Sequence, residues 1–188
     1  SWSISNIKDF WKAIWGFMAI KCSSNYNQVV DDENKMPGAK WFDGLLFNFA
    51  ENILRIKSDK AAIIFQSENA DSKIISYNEL YDEVEKVAST LRKMGIKNGD
   101  RIVRIMPNLA ETVIAMLATT SIGAIWSSCS PDFGTQGILD RFTQINPKII
   151  FASDGYFYKG KSFDSLNKLK DLLNHLPSPP NTISLPCN

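Results

Sequence analysis

The 188-residue sequence has little of several residue types and patterns that particular functions need. It contains one histidine and three cysteines. Lysine and arginine total 21 against 20 aspartates and glutamates, so the net charge is only +1. A nearly neutral chain gives no electrostatic reason to expect nucleic acid or an anionic membrane surface as a partner. No apolar run approaches the ~18 residues of a membrane span, so we expect no membrane association.

The few cysteines and the single histidine also limit the possible chemistry. Cys22, Cys129 and Cys187 are far apart and odd in number, which favours free thiols in a reducing compartment over a disulfide framework. They lack metal-ligand spacing, and the carboxylates lie mainly on polar helix faces, so we predict no metal site. A Ser–His or Cys–His pair would need His175, which is expected near a helix C-terminus, where the helix dipole explains it. We therefore assign no catalytic residue.

Residues 1–55 differ in pattern from the rest of the chain. The sequence starts without methionine or a signal-peptide pattern, and we expect Ser1 to be a cut. Apolar side chains then recur at helical spacing from Ile7 to Met18, with Ser5 as the expected N-cap. We interpret this stripe as a helix packed on its own domain, rather than as a helix that binds a membrane surface or a partner. The segment 41–54, WFDGLLFNFAENIL, matches no simple period.

From residue 60 onward, short apolar strands alternate with amphipathic helices. Ser76 and Glu79 form a capping box at the start of one helix, and Asn108 with Glu111 repeats that pattern at the next. Strands are predicted at 61–66, 73–76, 101–106, 124–129, 148–153 and 182–186. This alternation predicts an α/β fold in residues 56–188, a mostly parallel sheet flanked by helices, with a helical segment at 1–55 before it.

In such sheets, ligands bind beyond the carboxyl ends of the strands. The loops expected to carry a site therefore follow Met106, Cys129 and Ser153. Two of these loops contain suggestive motifs.

The first motif, GYFYKGKS at 155–162, satisfies the phosphate-loop pattern G-x-x-x-x-G-K-S between a predicted strand and a predicted helix. A true phosphate loop curls its backbone N–H groups around phosphate, and the bulky Tyr156, Phe157, Tyr158 and Lys159 would crowd that cradle. A basic solvated turn is the simpler interpretation. Such a turn beside a helix start is still a suitable place for a phosphate group.

The second motif, IWSSCSPDFG at 125–134, places hydroxyl-bearing residues at a strand end before a turn formed by Pro131, Asp132 and Gly134. A hydroxyl followed by Asp can suggest a nucleophile, but the sequence offers no suitably placed histidine. We interpret Cys129 as a small core residue rather than a reactive thiol.

Several segments also resemble the adenylate-forming acyl-CoA synthetases. Trp41, Phe42, Gly44, Asn48 and Asn52 match the N-terminal signature of short-chain acyl-CoA synthetases. ISYNEL at 75–80 resembles the superfamily's first core motif. The segment 99–128 is similar to its Gly-Asp-Arg strand, Pro-x-x-x-Glu turn and following helix.

The resemblance points to one branch of that superfamily. Ser-Pro-Asp-Phe-Gly at 130–134, Leu-Asp-Arg-Phe at 139–142 and a Tyr-x-Gly-Lys loop at 158–161 resemble the acetoacetyl-CoA synthetase branch. The resemblance implies ATP-dependent ligation of acetoacetate to coenzyme A through an acyl-adenylate, with Mg2+, in the cytosol. It also implies that the catalytic motifs and the ATP and Mg2+ sites lie beyond residue 188. The chain is thus expected to be an N-terminal fragment that is inactive by itself, its missing partner being the remainder of its own chain.

The resemblance assigns only a CoA contact to this stretch. It implies that Lys161, with Lys159 as neighbour, contacts CoA phosphates, and that the turn of Ser130, Pro131, Asp132 and Phe133 lines the CoA channel. Lysine replaces the arginine of acetyl-CoA synthetases, and the turn lacks their glycines, so a purely structural role is the alternative. Two other functions also stay open, a phosphate-loop nucleotide-binding protein and a non-catalytic truncated isoform.

Overall fold

A computed structural model describes residues 1–68, 72–178 and 180–186. The chain divides into two compact units, Ser1–Ile53 and Leu54–Asn188. The division into domains 1–55 and 56–188 stays a prediction. Cys187 lies outside the described residues.

The first unit has the predicted helical start and, in addition, two short strands that the sequence did not predict. It contains helices α1, α2 and α3 and two short strands, β1 and β2, that pair antiparallel. Their bounds are α1 Trp2–Ser5, α2 Ile7–Met18, β1 Gln28–Val30, β2 Trp41–Asp43 and α3 Phe49–Ile53. The strands were missed because three-residue segments paired across a loop leave no periodicity to detect.

The apolar stripe of residues 7–18 forms α2, but the expected cap is wrong. Ser5 ends α1, and Asn6 is the N-cap of α2 without a side-chain capping bond. Trp15 packs against Tyr26 and Phe42, with ring centroids 5.3 Å and 5.4 Å away. These contacts agree with a helix packed on its own unit.

Two asparagines of the segment 41–54 form hydrogen bonds with backbone groups of the first unit. The Asn52 amide donates to the Lys21 carbonyl at 2.9 Å and accepts from the Lys21 N–H at 2.8 Å. Asn48 accepts from the Glu51 N–H at 3.0 Å, at the start of α3. The two asparagines of the N-terminal signature therefore organise backbone in this structure.

The second unit has the α/β architecture that its pattern predicts. Its central sheet is fully parallel, in the order β10-β7-β5-β6, and two antiparallel pairs, β3–β4 and β8–β9, accompany it. The strands are β3 Ala61–Phe65, β4 Lys73–Ser76, β5 Arg101–Ile105, β6 Ile125–Cys129, β7 Ile149–Ser153, β8 Gly155–Tyr158, β9 Lys161–Asp164 and β10 Asn181–Leu185. The helices are α4 Tyr77–Lys93, α5 Ala110–Ser121, α6 Thr135–Ile145 and α7 Leu166–His175.

Capping explains where α4 begins, but not where α5 begins. The Ser76 hydroxyl accepts from the Glu79 N–H, and the Glu79 carboxylate accepts from the Ser76 N–H, which completes the predicted capping box. The N-cap of α5 is Leu109, not the predicted Asn108. Asn108 instead accepts a hydrogen bond from the Arg104 guanidinium at 3.3 Å.

The core lies between the parallel sheet and its helices. Every residue of β7 is buried, because a central parallel strand has covered faces on both sides. One face packs against α6 and α7 through Ile138, Phe142, Leu169 and Leu172. These are four of the apolar positions whose spacing predicted the two helices. In the described part of the chain, no helix is both long enough and apolar enough to cross a bilayer.

Candidate functional site

The loops expected to carry a ligand site lie together at one edge of the parallel sheet. Ile105 pairs with Cys129 of β6 and with Ala152 of β7. Because these strands are parallel, the segments that follow Met106, Cys129 and Ser153 leave the sheet on the same side. The structure therefore confirms the predicted grouping of the three loops.

A small cavity opens at this carboxyl edge. Its volume is about 190 Å³, and it lies between the end of β3, the loop after β5, and β8. The lining residues are Phe65, Gln66, Ser67, Glu68, Pro107, Asn108, Leu109, Tyr156 and Phe157.

The phosphate-loop-like segment forms a β-hairpin. Tyr158 of β8 pairs with Lys161 of β9, so Lys159 and Gly160 form a two-residue turn. Both turn residues have positive φ, 52° and 72°, as a type I′ hairpin turn requires. The basic turn was predicted, but the two flanking strands were missed. Aromatic residues on both sides of the glycine-containing dipeptide Lys159-Gly160, Tyr156 to Tyr158 before it and Phe163 after it, were the signal that could have found them.

Close backbone packing at its base also restrains the hairpin. A Cβ at Gly155 would lie 2.7 Å from the Phe163 carbonyl oxygen, which is too close for any side chain. The Tyr156 and Phe163 rings stack with centroids 5.0 Å apart. The hairpin therefore has a defined geometry although β9 is exposed throughout.

A carboxylate accepts hydrogen bonds from the backbone N–H groups of the turn. Glu68 accepts from the Lys159 N–H at 3.1 Å and from the Gly160 N–H at 2.9 Å. These two bonds, that to Gly160 first, lower the pKa of Glu68 below its ordinary value. The turn leads into β9 rather than directly into a helix, and its amides already hold an internal anion. Both facts argue against a nucleotide-binding phosphate loop.

The two lysines implicated in phosphate binding are both exposed on this hairpin. Lys159 lies at the turn, with its ammonium 5.2 Å from the Tyr158 ring centroid, and Lys161 begins β9. Among the described residues, neither ammonium forms an ion pair with a carboxylate. Both charges are thus available to a ligand in solvent.

The turn after β6 is held by its own hydroxyl and by a distant lysine. Ser130 donates to the Asp132 carboxylate at 3.1 Å and accepts from the Asp132 N–H at 3.4 Å. Lys168 of α7 donates to the Pro131 carbonyl at 2.6 Å and to the Phe133 carbonyl at 3.2 Å. No local pattern indicated this role for Lys168, because 37 and 35 residues separate it from Pro131 and Phe133.

The β6 turn and the hairpin meet through Tyr156 and Asp132. Partial burial and the adjacent Asp132 carboxylate, with which its hydroxyl interacts, raise the pKa of Tyr156 above its ordinary value. The structure therefore brings Ser130–Phe133 together with the hairpin that carries Lys159 and Lys161.

The reactive-residue alternatives gain no support from the geometry. Cys129 is 1% exposed, and burial raises the pKa of its thiol, as expected for a core residue. The His175 ring pairs with Asp171 on its own helix, at 2.8 Å from the carbonyl. Within residues 1–68, 72–178 and 180–186, no set of three histidine, cysteine or carboxylate side chains could hold a metal ion.

A further residue shapes the site without any signal from the sequence. The Arg104 guanidinium donates to the carbonyls of Met106 and Pro107, the latter at 3.0 Å. It thereby fixes the loop after β5 that forms one wall of the cavity. A polar residue in a short strand does not by itself predict such a contact.

Comparison with known proteins then places the fold in a family. Residues 49–185 match the model of the AMP-binding enzymes, and residues 1–53 match that of the acetyl-coenzyme A synthetase N-terminus. The chain belongs to the AMP-binding enzyme family.

Two curated relatives and one solved structure resemble the chain over nearly its whole length. An acetoacetyl-CoA synthetase of Rattus norvegicus is 42% identical over 188 residues, which is 98% of this chain and 28% of that protein. An acetoacetyl-coenzyme A synthetase of Rhizobium meliloti (strain 1021) is 43% identical over 178 residues, 95% of this chain and 27% of that protein.

The solved acetoacetyl-CoA synthetase from Streptomyces lividans has the same fold over this region. It is 37% identical, with a TM-score of 0.91, and the match covers 98% of this chain and 29% of that one. The chain therefore spans little more than a quarter of the length of these relatives. The motifs at 41–54 and 130–161 predicted a resemblance to acetoacetyl-CoA synthetases. These comparisons confirm that resemblance.

Proposed function

We propose that the protein carrying this chain is an acid–thiol ligase that joins acetoacetate to coenzyme A at the expense of ATP. The acetoacetate carboxylate attacks the α-phosphorus of ATP, giving acetoacetyl-adenylate and pyrophosphate. The CoA thiol then displaces AMP at the acyl carbon, giving acetoacetyl-CoA and a proton. The similarity to acetoacetyl-CoA synthetases over 98% of the chain supports this assignment.

The contribution of residues 1–188 is to hold the phosphates of CoA. Lys161 and Lys159 are the phosphate contacts, and Ser130, Pro131, Asp132 and Phe133 line the channel. One observation carries the proposal: two exposed ammonium groups, without an ion-pair partner among the described residues, on a restrained hairpin that contacts this turn. The two positive charges attract a polyanionic ligand. Because the hairpin already restrains the lysines, less conformational entropy is lost when the ligand binds.

Lysine recognises phosphate as a compact point charge rather than through the paired hydrogen bonds of arginine. We therefore assign the two lysines to charge complementarity, with orientation left to the Ser130–Phe133 turn. The proposal places the ATP and Mg2+ sites and the catalytic groups in the remainder of the protein. It places the protein in the cytosol, where the free thiols of Cys22 and Cys129 are kept reduced.

The test is a steady-state comparison in the full-length enzyme. Lys161→Ala should raise the KM for CoA about tenfold, the value of one lost charge-assisted contact, while the KM for ATP stays nearly constant. Lys161→Arg keeps the charge and should stay close to the wild type. Lys170→Ala removes an exposed charge from α7 and serves as the matched control.

Dephospho-CoA sharpens the assignment. If the Lys161→Ala penalty disappears with this substrate, the lysine binds the 3′-phosphate; if the penalty persists, it binds the diphosphate. A KM for CoA that does not change in Lys161→Ala contradicts the assignment altogether.

A further inference from the structure

The end of β3 and the tip of the β8–β9 hairpin meet at a single carboxylate. Glu68 accepts from the N–H groups of Lys159 and Gly160, residues 91 and 92 positions away in sequence. One oxygen serves each amide, so both oxygens of the carboxylate are used. This arrangement defines the position of the turn relative to the end of β3.

The turn itself favours an anion. The neighbouring backbone N–H groups of Lys159 and Gly160 converge, since one carboxylate accepts from both, and paired turn amides of this kind bind phosphate or carboxylate. Glu68 binds these amides from within the protein. An external phosphate must therefore meet the ammonium groups of Lys159 and Lys161 rather than the turn amides.

The hairpin needs such a restraint. Two-stranded hairpins are marginal in water, and all four residues of β9 are exposed. The Tyr156–Phe163 stack holds the base of the hairpin, at the opposite end from the turn. The tip, which carries the charges, is held by Glu68.

We propose that Glu68 is a positioning residue for the CoA-phosphate contact, an internal anion that latches the Lys159–Gly160 turn and fixes its lysines. The consequence for CoA rests on the function proposed above. The latch itself depends only on the two hydrogen bonds of the carboxylate.

The experiment compares Glu68→Ala and Glu68→Gln with the wild type in the full-length protein. Hydrogen exchange of the 155–164 segment, followed by mass spectrometry, should be about tenfold faster in Glu68→Ala, because both turn amides lose a charged acceptor. Glu68→Gln keeps one neutral acceptor and should fall between the two. Glu85→Ala, an exposed carboxylate on α4, is the control and should leave this segment unchanged.

Kinetics separate positioning from a general structural defect. The KM for CoA should rise about threefold to tenfold in Glu68→Ala, with kcat and the KM for ATP nearly unchanged. A KM for CoA in Glu68→Gln that lies between those of Glu68→Ala and the wild type supports the proposal.

Two results overturn the proposal. If the 155–164 segment exchanges at the same rate in Glu68→Ala and in the wild type, Glu68 does not restrain the turn. A KM for CoA that falls in Glu68→Ala shows that the carboxylate competes with phosphate for the amides instead of positioning the lysines. The proposed function fails separately, if Lys161→Ala leaves the KM for CoA unchanged while Glu68→Ala still accelerates exchange.

Discussion

Strand β7 and the β8–β9 hairpin follow one another in the chain, yet different forces hold them. Every residue of β7 is buried between paired strands and packed helices. The hairpin has an exposed second strand and depends on a two-residue turn, one aromatic stack and a carboxylate from a distant loop. Hydrophobic burial thus fixes the scaffold, while a few polar contacts place the candidate ligand-binding charges.

The same substitution, made once in helix α6 where it packs on β7 and once in the hairpin, should separate these forces most clearly. Phe142 is fully buried against the sheet, whereas Phe157 of the hairpin is 39% exposed. Phe142→Ala should lower the free energy of unfolding by about 3–5 kcal/mol, because it removes apolar contacts and leaves a cavity. Phe157→Ala should cost about 1 kcal/mol or less.

Urea unfolding, with hydrogen exchange at 149–153 as the report on the core, measures the difference. Equal losses in the two variants would contradict the distinction between a buried scaffold and a surface hairpin.

A smaller, local effect is expected at the base of the hairpin. In Gly155→Ala the new methyl group collides with the Phe163 carbonyl, so the paired strands must shift at a cost of about 1–3 kcal/mol. The loss should appear as faster exchange in 155–164 and leave exchange at 149–153 nearly unchanged.

Gly137→Ala provides the control for this change. Its added methyl group meets only the end of the Arg141 side chain, at 3.6 Å, within helix α6. This variant should be neutral or slightly stabilising, because alanine has a higher helix propensity than glycine. Slower or unchanged exchange in Gly155→Ala would show that the hairpin tolerates the shift.

The smallest effect should come from an exposed ion pair at the opposite edge of the sheet. Lys148 lies 2.8 Å from the Asp100 carboxylate, and its hydrogen bond, together with that of the Lys97 N–H, lowers the pKa of Asp100 below its ordinary value. A carboxyl group with a lowered folded-state pKa stabilises the protein above its unfolded pKa. That contribution is lost as pH falls through the folded-state value.

The stability difference between the wild type and Asp100→Asn should therefore be constant above about pH 5 and shrink below pH 4. Urea midpoints from pH 3 to pH 7 measure it, with Asp82→Asn on the exposed side of α4 as the control. A difference that grows toward low pH would reverse the assigned role of the Asp100 carboxylate.

The sequence predicted the second unit well, since its signals are local or periodic. The capping box at Ser76 and Glu79 is present as expected, and apolar spacing identified α6 and α7. The other two predicted caps, Ser5 from its residue type and Asn108 from its spacing to Glu111, were wrong. A side chain that can cap also forms other hydrogen bonds, as Asn108 does with Arg104.

The contacts that organise the candidate site could not be predicted in this way. Glu68 with the Lys159–Gly160 turn, and Lys168 with the carbonyls of Pro131 and Phe133, join residues far apart in the chain. A single carboxylate or lysine in a polar segment has many possible partners. Only the folded chain selects one.

The sequence by itself determined the α/β class, the parallel strands, and the motifs at 41–54 and 130–161 that identify the family. Burial periodicity and backbone chemistry act over a few residues, so the sequence records them directly. The tertiary structure decided that GYFYKGKS is a hairpin rather than a phosphate loop, and that Glu68 occupies its turn. Pairing and long-range hydrogen bonds depend on which segments the fold brings together, and the local sequence does not contain that information.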